Sequence, residues 1–245
     1  MIDLSRVSIG LPGATPHDVI EAFAPQSEAA GFRALWLNDT PNGDSLAGLA
    51  VAAGVTSSLE LGTGVIPLDR RSAADIVTAL DGLPLDRLII GVGTGGAKHG
   101  LALTEESVAE LRAGTTARIA VGALGPKMRA LASRVADAVL LNWLTPKAAA
   151  AQRSSLVEPV ETVLYVRTAL SPDAQPALRA ESERYGSYPA YAANFDRIGA
   201  TPLETTIQSV DRIPDYLTAV DELVLRVITR EPSLVEYERF LTTLR

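Results

Sequence analysis

Short apolar segments alternate with amphipathic segments along almost the whole chain. The apolar segments have the length of single strands, and the segments between them repeat apolar residues with the period of a helix. The pattern predicts strands at 7–11, 34–38, 59–65, 87–92, 117–123, 137–143, 162–168 and 222–228. It predicts helices at 16–30, 45–58, 72–83, 104–113, after the turn at 125–127, at 146–155, over 174–194 with interruptions at Pro176 and Pro189, and at 233–244. Thr104 and Ser107 are possible caps of the helix at 104–113.

Eight strand–helix repeats without a long linker predict the fold class. Strands that are apolar throughout are typical of a parallel sheet covered on both faces. Regular alternation indicates an α/β protein, and eight repeats favour a closed (β/α)8 TIM barrel that forms one domain over residues 1–245. An open doubly wound sheet is the alternative if one or two of the predicted strands do not form.

Composition and charge limit the function. Hydrophobic residues make up 47% of the chain and charged residues 21%, which is enough to bury a large core. The net charge of −7 argues against a nucleic-acid partner. Without cysteine, and with His17 and His99 as its two histidines, the chain has neither thiolate chemistry nor a histidine-rich or cysteine-rich metal site.

The sequence gives no sign of a membrane or of secretion. No apolar run reaches the roughly 18–20 residues of a membrane span. The first residues carry Asp3 and Arg6 and are not typical of a signal peptide. We therefore expect a cytoplasmic protein.

Glycine clusters where three neighbouring strands end. In a parallel barrel the active site lies at the carboxyl ends of the strands, so the residues after each strand are the candidates. Glycine lets a flat ligand or a phosphate approach the backbone closely, although tight turns and packing explain many barrel glycines. Their number here favours a ligand; the glycines are Gly62, Gly64, Gly91, Gly93, Gly95, Gly96, Gly122 and Gly125.

Some of these glycines resemble the glycines of two known phosphate-binding motifs, the dinucleotide-binding fingerprint and the P-loop. The string 91–96 matches G-x-G-x-x-G, but no strand with its acidic residue follows at the right distance, so a dinucleotide fold is rejected. Lys98 does not follow Gly96 directly, which excludes a P-loop. The turn Gly125-Pro126-Lys127 opens a predicted helix and offers backbone N–H groups and a cation to a phosphate.

Other polar residues lie near the predicted strand ends. Asp39 is a candidate base or substrate-orienting group, with a cap or turn role equally open. His99 is a candidate acid or base on a loop, where a solvated surface residue is the alternative. Trp143 stacks on a ligand ring or closes the rim, and Arg167 and Arg226 need an anionic ligand or a partner such as Glu161, Asp221 or Glu222.

The order of these motifs resembles the bacterial luciferase-like family of flavin- or deazaflavin-dependent barrel enzymes over nearly the whole chain. The matching stretches are 29–39 (AAGFRALWLND), 61–65 with Pro67 and Arg71, 87–93 (RLIIGVG), 125–128 with 131–137, and 188–191 with Gly199. No single stretch is decisive, and their order and spacing carry the resemblance.

The resemblance implies a site for FMN or the deazaflavin coenzyme F420 at the top of the barrel. Gly125, Pro126, Lys127 and Met128 would bind the cofactor phosphate. Gly64 and Val65 would lie behind the ring, at a place where relatives often have a cis peptide. The further cofactor-binding candidates are Gly93, Thr94, Gly122 and Arg167. The implied reaction is hydride transfer or monooxygenation of a small-molecule organic substrate, and the ring would supply that chemistry.

The chain departs from the family in three places. The loop after the fourth strand, between Gly96 and Arg118, is short. Thr40 follows Asp39 where deazaflavin-using relatives often have a histidine, and Lys98-His99 stands where an acidic residue is often found. A non-catalytic flavin- or small-molecule-binding barrel is therefore the alternative function, and an unrelated phosphate-binding barrel is a second. The oligomeric state is open, although relatives are often dimers.

F420 is slightly preferred over FMN on the basis of charge. The longer anionic tail of F420 would suit several cations predicted on the rim, whereas an FMN phosphate needs only one or two. These cations are Arg70, Arg71, Lys98, Lys127, Arg167 and Arg230.

Overall fold

The computed structural model describes residues 2–244 and confirms the (β/α)8 barrel. The strands are β1 Val7–Pro12, β2 Ala34–Asn38, β3 Glu60–Thr63, β4 Ile66–Pro67, β5 Leu88–Gly93, β6 Arg118–Gly122, β7 Ala138–Asn142, β8 Glu161–Thr168 and β9 Glu222–Val227. All of them pair in parallel, in the order β3-β2-β1-β9-β8-β7-β6-β5, and a β3–β5 pairing closes the barrel. The two-residue β4 continues β3 along β5.

Helices cover the outside of the barrel. They are α1 His17–Ala29, α2 Ser45–Val55, α3 Ala73–Thr78, α4 Gly100–Gly114, α5 Pro126–Val135, α6 Pro146–Ser154, α7 Gln175–Gly186, α8 Pro189–Ile198, α9 Ile213–Leu217 and α10 Leu234–Thr243. Within residues 2–244, no helix combines the length and apolar character needed to cross a bilayer.

The predicted elements form, with three corrections. Helix α4 begins at Gly100, directly after the short loop 94–99, so Thr104 and Ser107 lie buried within the helix and do not cap it. Pro176 does not interrupt α7, because it occupies the first turn, where proline needs no N–H partner. The short helix α9 precedes β9 in a segment for which no helix was predicted.

The barrel interior is filled by residues from alternate strand positions. Strand residues two apart point to the same face, so the inward positions form layers. Trp36 and Tyr165 occupy the middle of the barrel with their ring centroids 6.0 Å apart. A Cβ on Gly62 would overlap the Trp36 ring, so this glycine serves packing.

An ion network crosses the amino-terminal end of the barrel. Arg33 pairs with Glu60 at 3.0 Å and Glu161 at 2.7 Å, and its Nε lies 3.5 Å from Glu222. Arg118 joins the same carboxylates of Glu60 and Glu161. The network, together with the middle layer, closes this end of the barrel.

Glu222 is the buried member of this network. Its side chain is 0% exposed, and its Oε1 accepts hydrogen bonds from Ser8 Oγ at 2.6 Å and Trp36 Nε1 at 2.7 Å. Burial raises the pKa of Glu222 above its ordinary value, although Arg33 and these two donors oppose the rise. The protonated form is therefore favoured in the folded state more than in the unfolded chain.

Glu222→Gln is expected to stabilise the protein more at about pH 8 than at about pH 5. A raised pKa contributes stability below the unfolded-state pKa, and that contribution is lost as pH rises through the folded-state pKa. Glutamine keeps an acceptor for Ser8 and Trp36 and does not titrate, so the melting temperature of the variant minus that of the wild type should increase with pH. Thermal unfolding across this range measures it, with Glu60→Gln as the more exposed control. A difference in melting temperature that does not change with pH would contradict the raised pKa of Glu222.

Candidate active site

The carboxyl ends of the strands open into one cavity of about 470 Å³, at the end of the barrel where the sequence places the site. Most predicted site residues line it. These are Asp39, Gly64, Val65, Gly93, Thr94, Gly122, Gly125, Met128 and Arg167. Pro126, Lys127 and His99 are exposed and do not line it.

The cavity has two unlike walls. The ends of β3, β5 and β6 present Gly64, Gly93 and Gly122, so backbone atoms form this wall. Across the barrel, β8 and β9 present Arg167 and Arg226, which are Cα partners in the strand register. A flat ring could lie against the glycine wall with its edge toward the guanidinium groups.

The glycines divide between packing and the cavity. Gly91 approaches β3 so closely that a Cβ would overlap the Thr63 carbonyl, and a Cβ on Gly64 would overlap the Tyr165 hydroxyl. A Cβ on Gly122 would instead meet only the Val65 side chain, at 3.2 Å, and the Val92 carbonyl, at 3.5 Å. Among the three glycines of this wall, Gly122 is therefore the position where an added side chain has the most room, because its nearest contact is at 3.2 Å, whereas that of Gly93 is at 2.8 Å and that of Gly64 is closer still.

The peptide bond between Gly64 and Val65 is cis. The family resemblance implied a cis bond at this place. The Gly64 carbonyl accepts a hydrogen bond from Asn38 Nδ2, and Asn38 Oδ1 accepts one from Arg226 Nε at 2.9 Å. Through these two hydrogen bonds, Asn38 joins the glycine wall of the cavity to Arg226 on the opposite wall.

The loop after β5 is held by an acidic residue. Asp69 accepts a hydrogen bond from the Gly96 N–H at 2.7 Å, and Gly95 has a φ of +57°, which glycine adopts easily. The Gly96 N–H, which a phosphate-binding loop would turn toward its ligand, is thus occupied by the protein itself.

Helix α5 starts without a side-chain cap. Gly125 is its N-cap, whereas the next helix, α6, has Thr145, whose hydroxyl accepts a hydrogen bond from the Ala148 N–H. Uncapped N–H groups at a helix start attract anions. Behind this turn the buried Arg129 donates from Nη1 to the Leu124 carbonyl at 2.9 Å.

Asp39 and His99, the predicted catalytic residues, are not brought together. Asp39 lines the cavity, but one carboxylate oxygen accepts from Ser45 Oγ at 3.1 Å and the other pairs with Arg70 at 3.1 Å. His99 occupies the N-cap position of α4 without making a capping hydrogen bond. Asp39 therefore also serves the structural role that the turn-forming sequence suggested.

Arg167 has a protein partner. Its Nε pairs with Glu181 at 2.9 Å, and its guanidinium lies 4.3 Å from the Trp143 ring centroid and 4.6 Å from that of Tyr185. Its partner is thus none of Glu161, Asp221 and Glu222, the carboxylates proposed from the sequence. Trp143, with a φ of +52°, is buried against Arg167 and Phe195, and is not among the residues that line the cavity.

Sequence reasoning missed the contributions of α7 and α8 to the site. Glu181, Arg184 and Tyr185 on α7, and Tyr191 on α8, line the cavity above β8. Burial, with a contribution from the neighbouring Tyr185, raises the pKa of Tyr191 to about 12. The run of tyrosines over 185–191 was a usable signal, because aromatic side chains that also carry a hydroxyl are common in binding sites.

Most of the predicted rim cations are neutralised. Arg70 pairs with Asp39 at 3.1 Å, Arg71 with Asp44 at 3.1 Å and Arg230 with Glu231 at 3.5 Å, in addition to the Arg167–Glu181 pair. The charge of the rim therefore gives little support to F420 over FMN. In the described part of the chain, no group of three or more Asp, Glu or His side chains is arranged to hold a metal ion.

The fold and the site together define a (β/α)8 barrel with a ligand cavity at the carboxyl ends of its strands. Residues 2–110 match the family model described as luciferase-like monooxygenase. Over these residues the chain is similar to the luciferase-like family, the family that the sequence motifs indicated.

A curated relative supports this similarity. The chain is 32% identical to the 5,10-methylenetetrahydromethanopterin reductase of Methanolobus tindarius over 166 residues, which are 52% of this chain and 51% of the relative. The match thus spans about half the length of that enzyme.

Solved structures agree with the fold over the whole chain. The coenzyme F420-dependent tetrahydromethanopterin reductase of Methanopyrus kandleri superimposes with a TM-score of 0.70 at 16% identity, covering 98% of each chain. The oxygenating constituent of 3,6-diketocamphane monooxygenase from Pseudomonas putida, in complex with FMN, gives a TM-score of 0.64 at 12% identity, covering 97% of this chain and 96% of that one. At such identities the likeness establishes the fold.

Proposed function

We propose that this chain is an oxidoreductase that uses F420 or FMN for hydride transfer to or from, or monooxygenation of, a small organic substrate. The observation that carries the proposal is the glycine wall of Gly64, Gly93 and Gly122 opposite a polar wall. Such a wall lets a planar ring lie directly on the backbone. The Methanopyrus kandleri reductase is coenzyme F420-dependent and the Pseudomonas putida monooxygenase was solved with FMN, which supports both cofactors for this chain.

The residues present fit such a cofactor. The uncapped N–H groups of Lys127 and Met128 at the start of α5 would hold its phosphate, and Gly125 leaves room for the phosphate to approach. The bound ring would supply hydride or oxygen chemistry. The chain itself would orient the substrate through Asn38 and Arg226, and the aromatic side chains of α7 and α8 would exclude water.

A cofactor titration tests the proposal. The protein is purified from a host that makes both cofactors, its absorption spectrum is recorded, and each cofactor is titrated by fluorescence. We expect binding tighter than roughly 100 μM, about −5.5 kcal/mol, for one of them. Weaker binding of both would refute the proposal.

Lys127→Ala is expected to weaken cofactor binding by about 1.5–3 kcal/mol through loss of a charged phosphate contact. Lys147→Ala is the matched control, because Lys147 follows a proline in the first turn of α6 just as Lys127 does in α5. Fluorescence titration of both variants measures the effect. If Lys127→Ala binds the cofactor as tightly as the wild type, Lys127 does not contact the phosphate. The backbone N–H groups would then be the phosphate contact.

A cofactor-binding protein without catalysis is the second candidate. The engagement of both Asp39 oxygens and the position of His99 outside the cavity favour it. Bound cofactor that no candidate donor reduces would support this candidate over the enzyme.

A further inference from the structure

Arg226 differs from the other arginine on its wall of the cavity. Its Nε donates to Asn38 Oδ1 at 2.9 Å and its Nη1 to the Val227 carbonyl at 2.5 Å. Within residues 2–244, no carboxylate forms an ion pair with it, whereas Arg167 beside it pairs with Glu181. Its Nη2 group has no hydrogen bond within the described chain, so it can still donate to a ligand in the cavity.

Tyr165 lines the same cavity and carries a buried hydroxyl without a hydrogen-bond partner. It precedes Arg167 by two residues on β8 and faces the same side of the strand. The residue is 2% exposed, lines the cavity, and its hydroxyl oxygen has no hydrogen-bond partner. Burial raises the pKa of Tyr165, although Arg226 and Arg167 oppose the rise, so the hydroxyl stays protonated and available as a donor.

The cations of the cavity exceed its anions. Arg167, Arg184 and Arg226 line it, and Glu181 is shared by the first two at 2.9 and 3.8 Å. Asp39, the other lining carboxylate, pairs with Arg70 at 3.1 Å. Burial raises the pKa of Glu181, but Arg167 and Arg226 outweigh this and hold it below its ordinary value. The cavity therefore favours a negatively charged ligand.

We infer that this cavity binds a substrate carboxylate, with Arg226 Nη2 and the Tyr165 hydroxyl as its donors. Two donors suit the two oxygens of one carboxylate, and an ionised acceptor makes both hydrogen bonds stronger. Naming the ligand as the substrate rests on the proposed function, whereas the anion site rests on Arg226 and Tyr165 alone. The proposed substrate is thus a small organic molecule that carries a carboxylate, in its oxidised or its reduced form.

Matched fragments test the inference. Benzoate and butyrate are compared with benzamide and butanamide, which replace the carboxylate by a neutral amide of similar shape. Ligand-observed NMR titrations are run on the protein with and without bound cofactor at about 0.15 M salt, so that long-range charge effects are screened. We expect each acid to bind about tenfold or more tightly than its amide.

Three variants locate the contact. Arg226→Gln should weaken acid binding about ten- to a hundredfold and Tyr165→Phe about three- to tenfold, with amide binding unchanged. Arg184→Gln is the control for general charge, because its side chain is 59% exposed at the rim, and it should change acid binding by about twofold or less. Thermal unfolding checks that each variant folds, and Tyr165→Phe alone still tests the site if Arg226→Gln does not fold.

The outcomes separate this inference from the proposed function. Acids that bind no better than amides, or an Arg184→Gln effect as large as that of Arg226→Gln, would overturn the carboxylate site. Failure of both cofactors to bind while the preference for acids persists would instead refute the oxidoreductase and leave the anion site standing.

Discussion

Replacing Gly122 by leucine is expected to weaken cofactor binding by more than about a hundredfold, about 2.7 kcal/mol, while the barrel still folds. Gly122 lies in the wall against which the ring is proposed to lie. The new side chain would occupy the cavity, since its Cβ meets only the Val65 side chain at 3.2 Å and the Val92 carbonyl at 3.5 Å. The same addition at Gly91 would overlap backbone and is expected to disrupt the fold.

Fluorescence titration with F420 and with FMN measures the loss, and thermal unfolding monitors the fold. Gly54→Leu is the matched control, because Gly54 lies on α2 with open space around its Cβ position and does not line the cavity. It should retain cofactor binding. If Gly122→Leu binds either cofactor as tightly as the wild type, the ring does not lie on this wall.

Arg167→Leu is expected to destabilise the protein by about 3 kcal/mol or more, because it leaves Glu181 without its closest cation in a mostly buried place. For a chain of this size, that loss lowers the melting temperature by roughly 6 °C or more. The variant also loses the stacking of the guanidinium against Trp143 and Tyr185.

Two comparisons make this prediction specific. The double variant Arg167→Leu/Glu181→Leu should recover part of the loss, since no buried charge remains unpaired. Arg112→Leu removes an exposed pair with Asp137 and should cost about 1 kcal/mol or less.

The stability that Arg167→Leu loses relative to the wild type, called its deficit below, should depend on pH because of the pKa of Glu181. In the wild type this pKa lies below its ordinary value, so its stabilising contribution is present above the unfolded-state pKa and is lost as pH falls through the folded-state pKa. The deficit of Arg167→Leu should therefore shrink toward acid pH. A deficit independent of pH would show that stacking, and not the ion pair, dominates.

The sequence predicted the barrel because its periodicity is a local property. The limits of β2 were obtained as 34–38 from the apolar run alone. Helix α4 was predicted to start four residues late, since Thr104 and Ser107 looked like caps, whereas both are buried small polar residues within the helix. Polar residues on a buried helix face break the pattern on which such predictions depend.

The site was predicted less completely, because its partners are far apart in sequence. The Arg167–Glu181 pair spans 14 residues and the Arg226–Asn38 hydrogen bond spans 188. The glycines and the α5 turn could be found from local composition. Tyr165 could have been found by noting that it shares the inward face of β8 with Arg167, two residues on.

The ion network of Arg33, Arg118 and their carboxylates closes the amino-terminal end of the barrel. Trp36 and Tyr165 fill the space above this network, so the cavity lies on the carboxyl side of these rings, where residues of α7 and α8 also line it. A cofactor and a substrate that share this cavity therefore approach it from the same end of the barrel, and we expect the one that lies deeper to bind first and leave last.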